Sequence, residues 1–86
     1  MPTLTVIIPT FNEADYIKDA LQSVQFADQI IIVDSFSTDG TQDIAKMFPT
    51  KILERKFDNF SAQKNFAIEQ VTSDWILFID ADERVT

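Results

Sequence analysis

The sequence predicts an α/β fold: one parallel sheet of four strands, in spatial order 3-2-1-4, with helices on both faces. Two observations carry this reading. The runs LTVII, QIIIV and WILFI are apolar at consecutive positions, so neither side of these strands is left for water. Between them lie segments whose apolar residues recur at helical spacing, and that alternation builds βαβ units with right-handed crossovers. At 86 residues the chain holds one domain at most. A domain of this size buries only about 60% of its unfolded surface and is marginal without help.

Each element has a local reason. Residues 4–8 are β-rich and are stopped by Pro9, which needs no donor. Asn12 is placed to cap a helix in NEADYIKDALQSV, where Ile17, Ala20, Leu21 and Val24 share a face. Glu13 and Asp15 fall in its first turn, where the helix dipole favours carboxylates. Residues 29–33 are the second strand. DSFSTDG is a polar loop holding the only glycine, Gly40, and Asp39 or Thr41 caps the helix that follows. TQDIAKMF is a short helix with Ile44, Ala45 and Phe48 on one face. Residues 51–55 (KILER) are shorter and more polar, which suits an edge strand. KFDNF is a loop, SAQKNFAIEQV a helix, and DWILFI the last strand. That strand runs into Asp80-Ala81-Asp82.

Composition excludes several function classes. A net charge of −7 argues against nucleic acid and anionic membrane surfaces, which both select a basic patch. There is no Cys and no His, so thiolate chemistry and the usual zinc ligands are absent. A metal bound here is a hard cation on oxygen ligands. No apolar run approaches the roughly 18 residues of a membrane span. No basic segment precedes an apolar run at the start. The expected location is the cytoplasm, or a peripheral position at the inner face of the cell membrane.

In open parallel sheets ligands sit outside the carboxyl ends of the strands. PTFNE, DSFSTDG and DADE are therefore expected on one edge. Asp80 and Asp82, two apart, point to the same side and repel unless a cation or proton intervenes. Mg²⁺ or Mn²⁺ suits such a pair together with substrate phosphates; the alternative is a solvated turn. Asp34 follows the second strand, where a carboxylate can accept hydrogen bonds from a base or ribose. Ser37, Thr38 and Gly40 read as turn and cap residues. Phe11 offers a flat ring for a base, or a hydrophobic staple onto the next helix. Arg55, Lys56 and Lys64 are three of seven basic residues and can meet a diphosphate, although Lys56 reads as ordinary surface.

The segments TVIIPTFNEADYI, IIIVDSFSTDGT, SAQKNFAI and WILFIDADE, in this order, resemble the N-terminal part of a family 2 glycosyltransferase with the GT-A fold. DSFSTDGT with FDNFSAQKN is most similar to the bacterial branch that builds the lipopolysaccharide core. The resemblance implies a Rossmann-like donor half, residues 1–86, ending after the DxD motif. It implies a nucleotide-diphospho-sugar donor (a UDP-sugar first), Mg²⁺ or Mn²⁺, sugar transfer with inversion, and a glycan or lipid-linked acceptor. Carried over by position, Pro9, Thr10 and Phe11 line the nucleoside pocket with Glu13 nearby. Asp34 holds the base, Lys64 faces the nucleotide, Asp80 contacts ribose and metal, and Asp82 ligates the metal. The catalytic base is expected beyond residue 86.

The sequence departs from the family pattern where Ser35 and Phe36 replace the second and third residues of the common Asp-Asp-Gly-Ser. Two alternatives remain beside this reading. One is a non-catalytic nucleotide-binding or interaction fragment. The other is a haloacid-dehalogenase-type phosphatase with Asp80 as nucleophile, although that fold places its motif on the first strand. Finally, the apolar fourth strand is expected to recruit a second copy of the fragment through its free edge.

Overall fold

The computed structural model describes residues 2–56 and 59–80, with the backbone alone for Phe60. Seven elements follow one another: β1 (Leu4–Thr10), α1 (Ala14–Ser23), β2 (Gln29–Asp34), α2 (Thr41–Ala45), β3 (Lys51–Glu54), α3 (Phe60–Ile68) and β4 (Trp75–Phe78). The strands form one sheet in the order β3-β2-β1-β4, all pairs parallel, as the sequence predicts. Register places Thr10 beside Asp34 and Asp34 beside Glu54, while Ile7 pairs with Phe78. The carboxyl ends of all four strands therefore share one edge.

Strand parity divides the core into two layers. Val6, Ile8, Ile30 and Ile32 pack with Ile17, Leu21 and Val24 of the α1 segment and Ala45 of α2. Ile7, Ile31 and Val33 face the other way, onto Ala67 of α3 with Phe66 and Phe78. Among the described residues two helices cover the first face and α3 alone covers the second, where the flanking residues Leu53, Phe66, Ile76 and Phe78 are only half-buried. β3 is an edge strand with half-buried centre and exposed ends, as its polarity suggests.

Helix entry differs from expectation. Asn12 does not cap α1. Its backbone is left-handed (φ 52°), and its Oδ1 accepts from Thr38 N–H of the next loop at 2.8 Å. The capping position belongs to Glu13, whose side chain makes no cap bond. The amides at the entry to α1 are satisfied from the β2–α2 loop and the start of α2 instead. Asn12 N–H donates to Ser37 Oγ (2.8 Å), Glu13 N–H to Thr41 Oγ1 (2.9 Å) and Ala14 N–H to Asp39 Oδ2 (3.0 Å). Asp39 also accepts from Thr41 N–H at 3.1 Å, so one carboxylate serves the starts of two helices. The Thr41 hydroxyl also donates to Asp39 Oδ1, and this bond first, with those from the amides, holds its carboxyl below the ordinary range. α2 stops at Ala45, one turn short of the TQDIAKMF segment, but Ile44 and Phe48 still pack on the first layer. α3 begins inside the expected loop, because Asn59 Oδ1 caps it by accepting from Ala62 N–H at 2.7 Å.

Thr41 shows how much these crossed caps contribute. It is fully buried, and its hydroxyl is the partner of the Glu13 amide. Thr41→Val keeps the shape and orphans that amide, so urea unfolding should show a loss of about 1–3 kcal/mol. An unchanged midpoint would show that water replaces the hydroxyl.

Candidate functional site

Parity also sorts the candidate residues. Thr10 and Asp34 lie in register with the strand positions that face α1 and α2; Pro9 follows Ile7 toward α3. Asp80 follows Ile76 and Phe78, which also face α3. Asp34 and Asp80 thus share an edge of the sheet but serve opposite faces of it.

On the α3 face the strands open into a pocket of about 260 Å³. Pro9 and Val33 come from the sheet, Gln63, Lys64 and Ala67 from α3, and Phe78, Ile79 and Asp80 from the end of β4. This brings Pro9, Lys64 and Asp80 together, three of the residues singled out in the sequence. Lys64 Nζ stands 5.5 Å above the Phe78 ring, a cation–π distance that keeps the ammonium at the pocket. Arg55 stands 5.4 Å over Phe66 on the same face. Gln63 is nearly fully buried, and its amide donates to Val33 O at 3.5 Å. Asp80 itself is exposed at the strand end. Asp82 lies outside the described residues.

On the other face Asp34 is fully buried, at 0% exposure. A carboxylate has about four acceptor sites, and four donors meet it here. Oδ1 accepts from Thr10 Oγ1 (2.6 Å) and Ser37 Oγ (2.6 Å); Oδ2 accepts from Ser37 N–H (2.8 Å) and Gln42 Nε2 (2.8 Å). Burial by itself raises the pKa, but the bonds from Ser37, Thr10 and Gln42 together outweigh it and hold the carboxyl below the ordinary carboxylate range. Thr10 is buried with it, while Phe11 is 60% exposed, against the staple alternative. Glu13 is half-buried at the start of α1.

The sequence analysis missed the partners of Asp34. Parity with Ile30 and Ile32 was a usable signal that its side chain points inward. Gln42 carried none, because its distance from Asp34 depends on how α2 docks.

Since the folded pKa of Asp34 is depressed, its contribution to stability is complete above the unfolded value near 3.8. It is lost as pH falls through the lower folded value. Asp34→Asn places an NH₂ against two donors, so it should cost about 1–3 kcal/mol at pH 7 and flatten the acid limb of the stability–pH curve. Parallel acid limbs in mutant and wild type would assign that limb to other carboxylates.

Comparison with known proteins bears on the family and the fold. Residues 5–86 match the family described as Glycosyl transferase family 2. The SPbeta prophage-derived glycosyltransferase SunS of Bacillus subtilis (strain 168) is 48% identical over 85 residues, covering 94% of this chain and 20% of that protein. The lipopolysaccharide core biosynthesis glycosyltransferase LpsC of Rhizobium meliloti (strain 1021) is 34% identical over 87 residues, covering 95% of this chain and 32% of that protein. The chain therefore spans about a fifth to a third of the length of these relatives. Among solved structures, glucosyl-3-phosphoglycerate synthase from Mycobacterium tuberculosis, crystallised with Mn²⁺, UDP and glucosyl-3-phosphoglycerate, superposes with a TM-score of 0.83 at 20% identity, covering 96% of this chain and 36% of that one. At that identity the likeness shows the fold. Together with the family match it removes the phosphatase alternative: the chain belongs to glycosyl transferase family 2.

Proposed function

We propose that residues 1–86 are the donor-binding part of a sugar transferase that takes a nucleotide-diphospho-sugar with a divalent cation and inverts the transferred sugar. The observation that carries the proposal is the pocket at the carboxyl edge, where Asp80 and Lys64 stand together with Pro9. A carboxylate and an ammonium at one opening suit a ligand that brings both a cation and phosphate oxygens.

The donor set fits a hard cation. The chain offers carboxylate oxygens and has neither His nor Cys, so Mg²⁺ or Mn²⁺ is favoured over zinc. Asp80 and, by the family resemblance, Asp82 would hold it. Bound there, the cation supplies a Lewis acid for a departing diphosphate. Lys64 adds a fixed positive charge beside the same phosphates. Phe11 offers an exposed ring for the base, with Pro9 and Glu13 flanking it. Thr10 and Asp34 contribute from inside. With all four acceptor sites of Asp34 engaged, it acts on the nucleoside through the loop it fixes.

UDP as the nucleotide is supported by the bound UDP and Mn²⁺ of the mycobacterial synthase. An acceptor in the lipopolysaccharide core is supported by the similarity to LpsC. Among the described residues no helix is long and apolar enough to cross a membrane. A cytoplasmic protein working at the inner membrane face is consistent with that.

Titration calorimetry with UDP, CDP, ADP and GDP tests the proposal. One of them should bind with Mn²⁺ and be released by a chelator, and Asp80→Asn should weaken that binding about tenfold or more. Identical binding with and without Mn²⁺ would overturn the metal assignment, and no binding of any of the four would overturn the donor site.

The edge of β4 generates a second expectation. Among the described residues β4 pairs with β1 alone, and its Trp75 is 66% exposed. An apolar strand with a free ladder recruits another chain. The 86-residue chain should form dimers through β4 in light scattering, and a clean monomer at high concentration would count against this.

A further inference from the structure

Pro9 stands inside a central strand. β1 has β2 on one side and β4 on the other, and it runs through Pro9 to Thr10. Proline has no N–H to give a ladder, so it belongs at sheet edges and bulges rather than between two partners. The two sides of β1 resolve this differently. Toward β2 the register continues through Pro9–Val33 to Thr10–Asp34, and Ser35 N–H closes it on Thr10 O at 2.9 Å. Toward β4 the paired residues end at Ile7–Phe78.

The direction of the missing N–H explains the difference. In a parallel ladder the N–H and C=O of one residue point to the same neighbour, and alternate residues serve opposite neighbours. Ile7 O accepts from Ile79 N–H at 3.2 Å, so Ile7 serves β4, and Pro9, two residues on, faces β4 as well. The next rung would run from the N–H of residue 9 to Ile79 O. Proline cannot supply it, and among the described residues no donor meets the Ile79 carbonyl. Ile79 is only 8% exposed, and a carbonyl left unpaired at such a place costs free energy. The missing rung lies where the pocket opens: Ile7 and Pro9 line it from β1, and Phe78, Ile79 and Asp80 from the end of β4.

We infer that Pro9 is a positioning residue of the donor site, and that it acts through the N–H it lacks. Withholding that donor ends the β1–β4 ladder one rung before the carboxyl edge. The Ile79–Asp80 end of β4 is thereby released from β1, and the pocket stays open between the two strands. With an N–H at position 9 the rung would close, and a ligand entering the pocket would have to break it. The inference rests on the donor-site reading above and extends it from what lines the pocket to what keeps it open.

The test uses the 86-residue chain with Mn²⁺ and whichever of UDP, CDP, ADP and GDP binds it most tightly. Two variants separate the N–H from the ring. Pro9→Ala restores the N–H; Pro9→N-methylalanine, made by chemical synthesis, has neither ring nor N–H. In Pro9→Ala, hydrogen exchange should show the new amide of residue 9 protected without any ligand. Its nucleotide affinity should fall about fivefold, the equivalent of one net hydrogen bond. Pro9→N-methylalanine should bind as the wild type does. A protected amide with unchanged nucleotide affinity would overturn the inference and leave the donor site standing. An unprotected amide would do the same, because no rung then forms. Equal weakening in both variants would overturn it as well, since the ring itself would be the binding group. A wild-type chain that binds none of the four nucleotides would overturn the donor-site reading, and this inference with it.

Discussion

The buried carboxylate of Asp34 is the constraint on which the functional edge depends. A charged group at 0% exposure is stable only when its acceptor sites are filled, and four donors from three different segments fill them. Thr10 belongs to the end of β1, Ser37 to the loop after β2, and Gln42 to α2. One carboxylate therefore fixes where the first strand ends, how the second loop turns and how the short helix docks. A helix of five residues has little stability of its own, so α2 needs such external support.

The same economy governs the start of α1. The amides at its entry, of Asn12, Glu13 and Ala14, are bonded by Ser37 and Asp39 of the loop that follows β2 and by Thr41 at the start of α2. In return Asn12 accepts from Thr38. The β1–α1 and β2–α2 connections are thereby one hydrogen-bonded unit, which explains how residues such as Phe36 (φ 58°) are held in a conformation they would not choose. Rigid loops on a parallel sheet are where a binding site can be precise.

The opposite face has a different character. Among the described residues two helices lie on one side and α3 alone on the other, so the second core layer is thinner, and it opens at the carboxyl edge into the pocket. Its polar residues reach it for separate reasons: Asp80 because the strand ends there, Lys64 because its ammonium stands over the Phe78 ring, and Gln63 because Val33 offers a carbonyl. The site is thus built from a stiff rim on one side of the sheet and an incompletely filled layer on the other.

Much of this was legible in the sequence, because it depends on period. Consecutive apolar residues in LTVII and QIIIV require burial on both sides, and helical spacing at Ile17, Ala20, Leu21 and Val24 requires a helix, whatever surrounds them. Parallel topology, strand order and the shared edge of the acidic loops follow from those patterns with the handedness of crossovers. Strand parity could also have placed Asp34 inward and Asp80 outward on the α3 face. What parity could not supply was the identity of partners distant in sequence. That Gln42 and Thr10 meet Asp34, that Asp39 rather than Asn12 serves α1, and that Phe36 is driven to positive φ are all set by the docking of one loop against another. Such contacts depend on distances between segments that only the assembled sheet brings within about 3 Å.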